Sequence, residues 1–210
     1  LNTPTITPII VALGDSTTAG TPGFKSPIEA PPNGSGNIES QYTYWLTERH
    51  PDWRVLNRGV SGERSDQMRA RFSRDVLRAA PHVVVIVAGV NDVYQGRSAE
   101  SIERELESMY DAARAATILV VAGTILPYNS ATRDENARMH AVNTWIRAYA
   151  ARHPDTAMCD TRAAVASAAG GDTLAVSPDG LHPSPDGYKL MAITLDPVIQ
   201  AALARARPLR

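Results

Sequence analysis

Five short runs of β-branched and aliphatic residues punctuate the chain, at positions 9–13, 53–57, 83–88, 118–122 and 156–159. Between them the period of the apolar positions changes. Met68, Phe72 and Val76 recur every four residues, and Ile102, Leu106, Met109, Tyr110 and Ala113 fall on one stripe of an amphipathic helix. Strands alternating with helix-length segments form the pattern of a parallel sheet with crossover helices, an α/β class. The run Val83-Val84-Val85-Ile86-Val87 has no polar alternation, so burial on both faces is expected. Further helices are predicted over about 39–49, 65–77, 133–152 and 185–206. Ser98 is the expected N-cap of the helix that carries the Ile102 stripe. His50-Pro51 and His153-Pro154 read as helix stops, because the residue before proline is pushed out of the α region.

Two segments are too irregular for elements of their own. Residues 21–37 carry Pro22, Gly23, Pro27, Pro31, Pro32, Gly34 and Gly36 and are expected to form a long loop, either a rim over a site or a surface insertion. Residues 128–134 make a second, shorter rim. No internal repeat is present. At 210 residues the chain is expected to be one domain spanning 1–210.

Charge narrows the partners. A net charge of −1 with interspersed signs gives no basic stripe for nucleic acid and no acidic tail, and Arg205, Arg207 and Arg210 read as a solvated terminus. The single cysteine, Cys159, excludes an internal disulfide framework and a multi-cysteine metal site. No run approaches the roughly 20 apolar residues of a membrane span, and no charged-then-apolar leader is visible. A cytoplasmic location is therefore favoured over export. Export stays open, because the start at Leu1, followed by a Thr/Pro-rich stretch, is compatible with an already removed leader.

The candidate chemistry lies at the ends of the predicted strands. Gly14-Asp15-Ser16-Thr17 follows the first apolar run and puts a hydroxyl where open α/β sheets bind ligands. Far along the chain, Asp179-Gly180-Leu181-His182-Pro183 supplies a carboxylate and an imidazole three residues apart. Serine early with aspartate and histidine late is a workable order for a hydrolytic triad, in which the imidazole deprotonates the hydroxyl and the carboxylate fixes its tautomer. The bland reading of each piece is a turn, since Gly, Asp and Ser all favour turns. Acyl transfer also needs donors for a developing oxyanion. Candidates are the segment Asn57-Arg58-Gly59-Val60-Ser61-Gly62 and the block Gly89-Val90-Asn91-Asp92, whose Asn91 offers a side-chain amide. His50, His82, His140 and His153 fit the role of base less well.

Taken together, Gly14-Asp15-Ser16, Gly62, Gly89-Val90-Asn91-Asp92 and Asp179-Gly180-Leu181-His182 resemble the four ordered blocks of the GDSL-type SGNH hydrolases. The resemblance implies a three-layer α/β/α sandwich with a five-stranded parallel sheet, flavodoxin-like in topology. It also implies a serine esterase or lipase that uses no cofactor. Carried over by position, Ser16 is the nucleophile and a backbone oxyanion donor, Gly62 and Asn91 complete the oxyanion hole, and His182 is the base oriented by Asp179. Glu63-Arg64-Ser65 departs from the usual threonine after the second block, which leaves Gly59 or Gly62 as the donor; Gly62 is preferred because the block normally leads straight into a helix. Asp15 and Asp92 are expected to fix turns. Thr18 stands where the Gly-x-Ser-x-Gly elbow has glycine, which disfavours the α/β-hydrolase fold.

No long apolar groove is legible, so the expected substrate is a small-molecule ester with a short acyl chain, acetylated sugars included; the resemblance leaves thioesters and lysophospholipids open, no nucleic acid partner is expected, and the oligomeric state is not legible. Phe24, Tyr42, Tyr44 and Trp45 are candidates for an acyl or aryl pocket, or for packing. Rival readings are a flavodoxin-like flavin or nucleotide module built on Asp15-Ser16-Thr17-Thr18-Ala19-Gly20, and a non-catalytic acyl or sugar binder. A metal hydrolase is a weaker rival, since nothing besides Asp179 and His182 has ligand spacing.

Overall fold

The computed structural model describes residues 7–206. The chain runs β1 (Ile9–Gly14), α1 (Ser16–Ala19), β2 (Phe24–Lys25), β3 (Ser35–Gly36), α2 (Tyr42–Arg49), β4 (Arg54–Gly59) and α3 (Ser65–Asp75). It continues through β5 (Val83–Val87), α4 (Val90–Tyr94), α5 (Ala99–Ala115), β6 (Leu119–Gly123), α6 (Arg133–Arg152), β7 (Thr156–Cys159), α7 (Thr161–Val165) and α8 (Pro185–Leu203). Five parallel strands form one sheet in the order β4-β1-β5-β6-β7. Apart from the β2–β3 ribbon this is the doubly wound 2-1-3-4-5 order, whose direction reverses between β1 and β5.

The strands are buried from both sides because alternate residues serve two cores. Val11, Leu13, Val84, Ile86, Val120 and Ala122 pack with Met68 and Phe72 of α3, Ile102 and Leu106 of α5, and Met139, Val142 and Ile146 of α6. Their neighbours Ile10, Ala12, Val83, Val85 and Val121 pack with Leu46 of α2 and with Tyr188, Met191, Leu195 and Ile199 of α8. The expected burial of the valine-rich run on both faces is met, with no residue of β5 more than 3% exposed. Period-2 partition of an all-apolar strand between two helical layers produces the α/β/α sandwich.

Register decides where the chemistry gathers. Gly14 pairs with Gly59 on one side and with Val87 on the other, so β1, β4 and β5 end at the same level. The loops that begin at Asp15, Val60 and Ala88 therefore leave the sheet side by side at its switch point. The two glycines permit this crowding: a Cβ on Gly14 would strike Thr18, and one on Gly59 would strike the backbone of Ala19. Short α1 thus lies directly against the ends of β1 and β4.

The pattern of the sequence is met in most long elements. Ser98 caps α5 through Ser101 N–H, and His50 and His153 stand at the C-caps of α2 and α6. Several boundaries shift. The second core strand begins at Arg54 and runs on to Gly59, because Trp53 N–H closes a turn onto His50 O and the ladder with β1 continues to Gly14. The helix expected from 39 begins at Tyr42 after a single 3-10 turn, Ile38–Ser40. The helix from Ser65 ends at Asp75 and passes into a second 3-10 turn, Leu77–Ala79, while α8 ends at Leu203. Residues 21–37 are not wholly without structure: Phe24–Lys25 and Ser35–Gly36 pair as an antiparallel ribbon. Arg207 and Arg210, read as part of a solvated terminus, and the chain start lie outside the described residues.

Candidate active site

Asp15 follows β1 and caps α1, its Oδ1 accepting the Thr17 N–H at 2.9 Å, so that Ser16 is the first helical residue. On the opposite bank, Ser184 caps α8 and the preceding loop carries Asp179 and His182. The loop brings His182 Nε2 to 2.9 Å from Ser16 Oγ, across 166 residues of sequence. His182 Nδ1 lies 2.7 Å from Asp179 Oδ2. With the proton on Nδ1, Asp179 accepts from the imidazole and Nε2 accepts from the serine hydroxyl. The three side chains then form one directional line of hydrogen bonds.

The loop is held by contacts its motif does not announce. Asp179 Oδ1 accepts the N–H groups of Leu181 and His182 at 2.9 and 2.8 Å. Ser177 Oγ accepts Gly180 N–H at 2.8 Å and donates to His182 O at 2.6 Å. Asn129, in the shorter rim, donates its N–H to Gly180 O at 2.7 Å and accepts Leu174 N–H at 2.8 Å. Burial alone would raise the Asp179 carboxyl; the bonds from the His182 side chain and from the Leu181 and His182 N–H groups outweigh it and hold the pKa at about 2. Asp179 is thus a carboxylate at any pH near neutrality.

The other two motif aspartates are buried and serve the backbone. Asp92 accepts from Ser65 N–H at 2.8 Å and Ser65 Oγ at 2.7 Å, and Arg97 pairs with it at 2.9 Å. Its burial raises the pKa against these bonds. Among the described residues Asp15 has no cation beside it; burial pushes its carboxyl up to about 7 despite the Thr17 N–H bond. Both tie turns, as their place in the motifs implies. The Asp92 bonds join the block after β5 to the start of α3.

Three hydrogen-bond donors at the strand ends are free to receive a ligand. The N–H groups of Ser16 and Gly62 donate to no group among the described residues. Asn91 gives one of its two amide hydrogens to Glu63 O at 3.0 Å and keeps the other. By contrast Gly59 N–H is committed to Asn57 Oδ1 at 2.9 Å. The two glycines between which the sequence left the choice thus differ in their N–H groups, Gly59 bonded and Gly62 without a partner among the described residues. Gly62 has a φ of +80°, a conformation that favours glycine.

Of the two roles open to Phe24, Tyr42, Tyr44 and Trp45, lining a pocket or packing, the structure shows packing. Phe24 is buried under Gly34. Tyr42 is fully buried with its hydroxyl 3.0 Å from Thr18 Oγ1. Trp45 donates to Glu39 O, with Tyr44 edge-on against it and Lys189 over its ring. These side chains secure the long loop and α2 rather than line a site. A small cavity does exist at the ends of β1, β5 and β6, lined by Asp15, Thr17, Val87, Ala88, Val90, Ile125 and Leu126, with room for about one water molecule. Among the described residues no three His, Cys, Asp or Glu side chains cluster as a metal site, and no helix is long and apolar enough to cross a membrane.

A doubly wound sheet with serine, imidazole and carboxylate hydrogen-bonded in line at its switch point is the framework of a serine hydrolase. The model of the GDSL-like lipase/acylhydrolase family matches residues 12–190, and the chain belongs to that family. Solved structures repeat the fold. A lipolytic protein of the G-D-S-L family from Desulfitobacterium hafniense DCB-2 superposes with a TM-score of 0.75 at 24% identity, over 90% of this chain and 98% of its own. A GDSL-like lipase from Bacteroides thetaiotaomicron VPI-5482 gives 0.75 at 23% identity over 92% and 88% of the two chains. A carbohydrate esterase family 3 protein from Talaromyces cellulolyticus gives 0.68 at 21% identity over 95% and 100%. No curated protein matches the sequence. The family resemblance carried by the four blocks is thereby met, and with it the α/β/α fold.

Proposed function

We propose that this chain is a serine esterase that hydrolyses carboxylic esters of short acyl chain through an acyl-enzyme on Ser16. The observation that carries the reading is the bonded line Ser16–His182–Asp179, at 2.9 and 2.7 Å, beside the free N–H groups of Ser16 and Gly62. His182 Nε2 takes the hydroxyl proton as Ser16 Oγ attacks the ester carbonyl. The oxyanion of the tetrahedral intermediate is received by Ser16 N–H, Gly62 N–H and the remaining Asn91 amide hydrogen. The protonated His182, stabilised by the Asp179 carboxylate, then gives its proton to the leaving alcohol. Water, deprotonated by His182, attacks the acyl-enzyme; collapse of the second tetrahedral intermediate returns the proton to Ser16 and releases the acid.

One feature favours short acyl groups: the aromatic side chains nearest the long loop are packed away from the site and offer no apolar wall for a long chain. Acetylated sugars are included in this class. A flavin- or nucleotide-binding module gives Asp179 and His182 no task, whereas here both are bonded in line with Ser16. We propose that 1–210 forms one domain.

The test is a p-nitrophenyl ester series, acetate to palmitate, on wild type and Ser16→Ala, with circular dichroism on both. The reading expects fastest turnover at the short end and its loss in the folded variant. A folded Ser16→Ala protein that turns over at the wild-type rate refutes the mechanism, and rates rising beyond about octanoate refute the chain-length assignment.

A further inference from the structure

The long loop after α1 does more than cover the sheet edge. Glu29 in that loop extends its carboxylate between two backbone N–H groups: Oε1 accepts from Ser61 at 2.8 Å and Oε2 from Ser26 at 3.0 Å. Ser26, fully buried, donates its hydroxyl to Gly59 O at 2.6 Å. Thr21 Oγ1 meets Ser61 Oγ at 2.8 Å, and Thr21 O in turn accepts from Tyr188 of α8 at 2.7 Å. The turn that presents Gly62 is thus gripped by the loop at Gly59 and Ser61. From the core side the same turn is held by Val60 N–H on Gly14 O at 3.1 Å, and by Asn91 and Arg71 on Glu63.

Gly62 itself has nothing to hold it. A Cβ built there would meet no atom within 4 Å, and its N–H has no partner among the described residues. The direction of that N–H is set by the peptide plane between Ser61 and Gly62, and the bond to Glu29 fixes the residue immediately before that plane. We propose that Glu29 is a positioning residue for the oxyanion site, its carboxylate pinning Ser61 so that Gly62 N–H stands preset toward the reacting carbonyl. The inference rests on the esterase reading and adds the Pro-rich loop to its machinery. The need for such a clamp is physical. A donor stabilises the transition state without reorganisation only if it is already in place, and an acceptor that is charged makes the stronger tie. Glu29 is only half-buried and lies outside both apolar cores, so its replacement leaves the fold intact.

Glu29→Ala, Glu29→Gln and wild type are compared by steady-state kinetics on a short-chain p-nitrophenyl ester, thermal melting and amide hydrogen exchange at Ser61. The proposal expects kcat to fall about tenfold or more in Glu29→Ala with KM changed by less than about threefold, at unchanged melting temperature. It expects Ser61 exchange to accelerate in the same variant. Glu29→Gln, which keeps one acceptor oxygen for Ser61, restores most of both. Wild-type kcat in Glu29→Ala, unaltered Ser61 exchange, or a loss of kcat that only follows a loss of melting temperature would each overturn the role of Glu29. Wild type inactive on every ester would instead overturn the esterase reading itself, and this role with it.

Discussion

Asp15 sits beside the serine yet is poised to lose its charge. Its carboxyl is buried, it has no cationic partner among the described residues, and its pKa is raised from 3.8 to about 7 mainly by burial. In the unfolded chain the same group ionises near 3.8. The folded state therefore holds a proton that the unfolded state releases as pH rises from about 4 to 7. Stability falls across that window and levels off above it. The full shift corresponds to a ceiling of about 4 kcal/mol, and partial relaxation around the charge leaves on the order of 2–4 kcal/mol. Asp15→Asn removes the ionisation and keeps an oxygen for the Thr17 N–H bond of 2.9 Å. The variant is expected to match wild type within about 1 kcal/mol at pH 4 and to exceed it by about 2–4 kcal/mol at pH 9, equivalent to a melting temperature roughly 5–10 °C higher. Urea denaturation at the two pH values measures the difference directly. Parallel stability profiles, with the same offset at pH 4 and pH 9, would show that Asp15 is not held in an environment hostile to charge.

Other expectations follow from the same geometry. Asp179→Asn removes the carboxylate that fixes the His182 tautomer, and kcat is expected to fall by on the order of 10³–10⁴, measured on p-nitrophenyl acetate; a loss under tenfold would contradict its assigned part. Asn91→Ala loses one oxyanion donor and the tie to Glu63 O, so kcat should fall by about 10²–10³ with KM little changed. The two glycines of the turn should separate cleanly. Gly59→Ala drives a Cβ into the Ala19 backbone and should cost more than about 3 kcal/mol of stability in a denaturant titration. Gly62→Ala meets no atom and should cost only the 1–2 kcal/mol or so of a positive φ while lowering kcat about tenfold; undiminished turnover would remove Gly62 from the mechanism.

The long elements were legible because their patterns are long. Seventeen residues of α5 carry nearly five turns of apolar stripe, and β5 is an unbroken aliphatic run. Helices α1, α4 and α7 span only four or five residues and cannot display a 3.6-residue period; Asp15, Gly89 and Asp160 at their starts read equally as turn residues. The β2–β3 ribbon pairs two residues with two and was hidden among prolines and glycines. Ser16, Asp179 and His182, which the structure brings within hydrogen-bond distance, stand out in sequence because each sits in a short local motif. Their supports do not. Ser177, Asn129 and Glu29 act on backbone groups of residues up to 51 positions away, and nothing local in a lone asparagine or glutamate reports such a partner. Phe24 and Tyr42 carry two readings in sequence, because an aromatic residue near a site serves equally well as packing; burial decides for packing.

The most direct measurement of the central claim is covalent. A fluorophosphonate, which mimics the tetrahedral intermediate once its phosphorus is bonded to an activated serine, is incubated with wild type and with folded His182→Ala, and the adduct is mapped by peptide mass spectrometry. The account predicts a single stoichiometric adduct on Ser16, with ester hydrolysis lost in step, and labelling slowed by at least about 100-fold in His182→Ala. Full ester hydrolysis by a protein that carries the label on another residue, or on none, would contradict it.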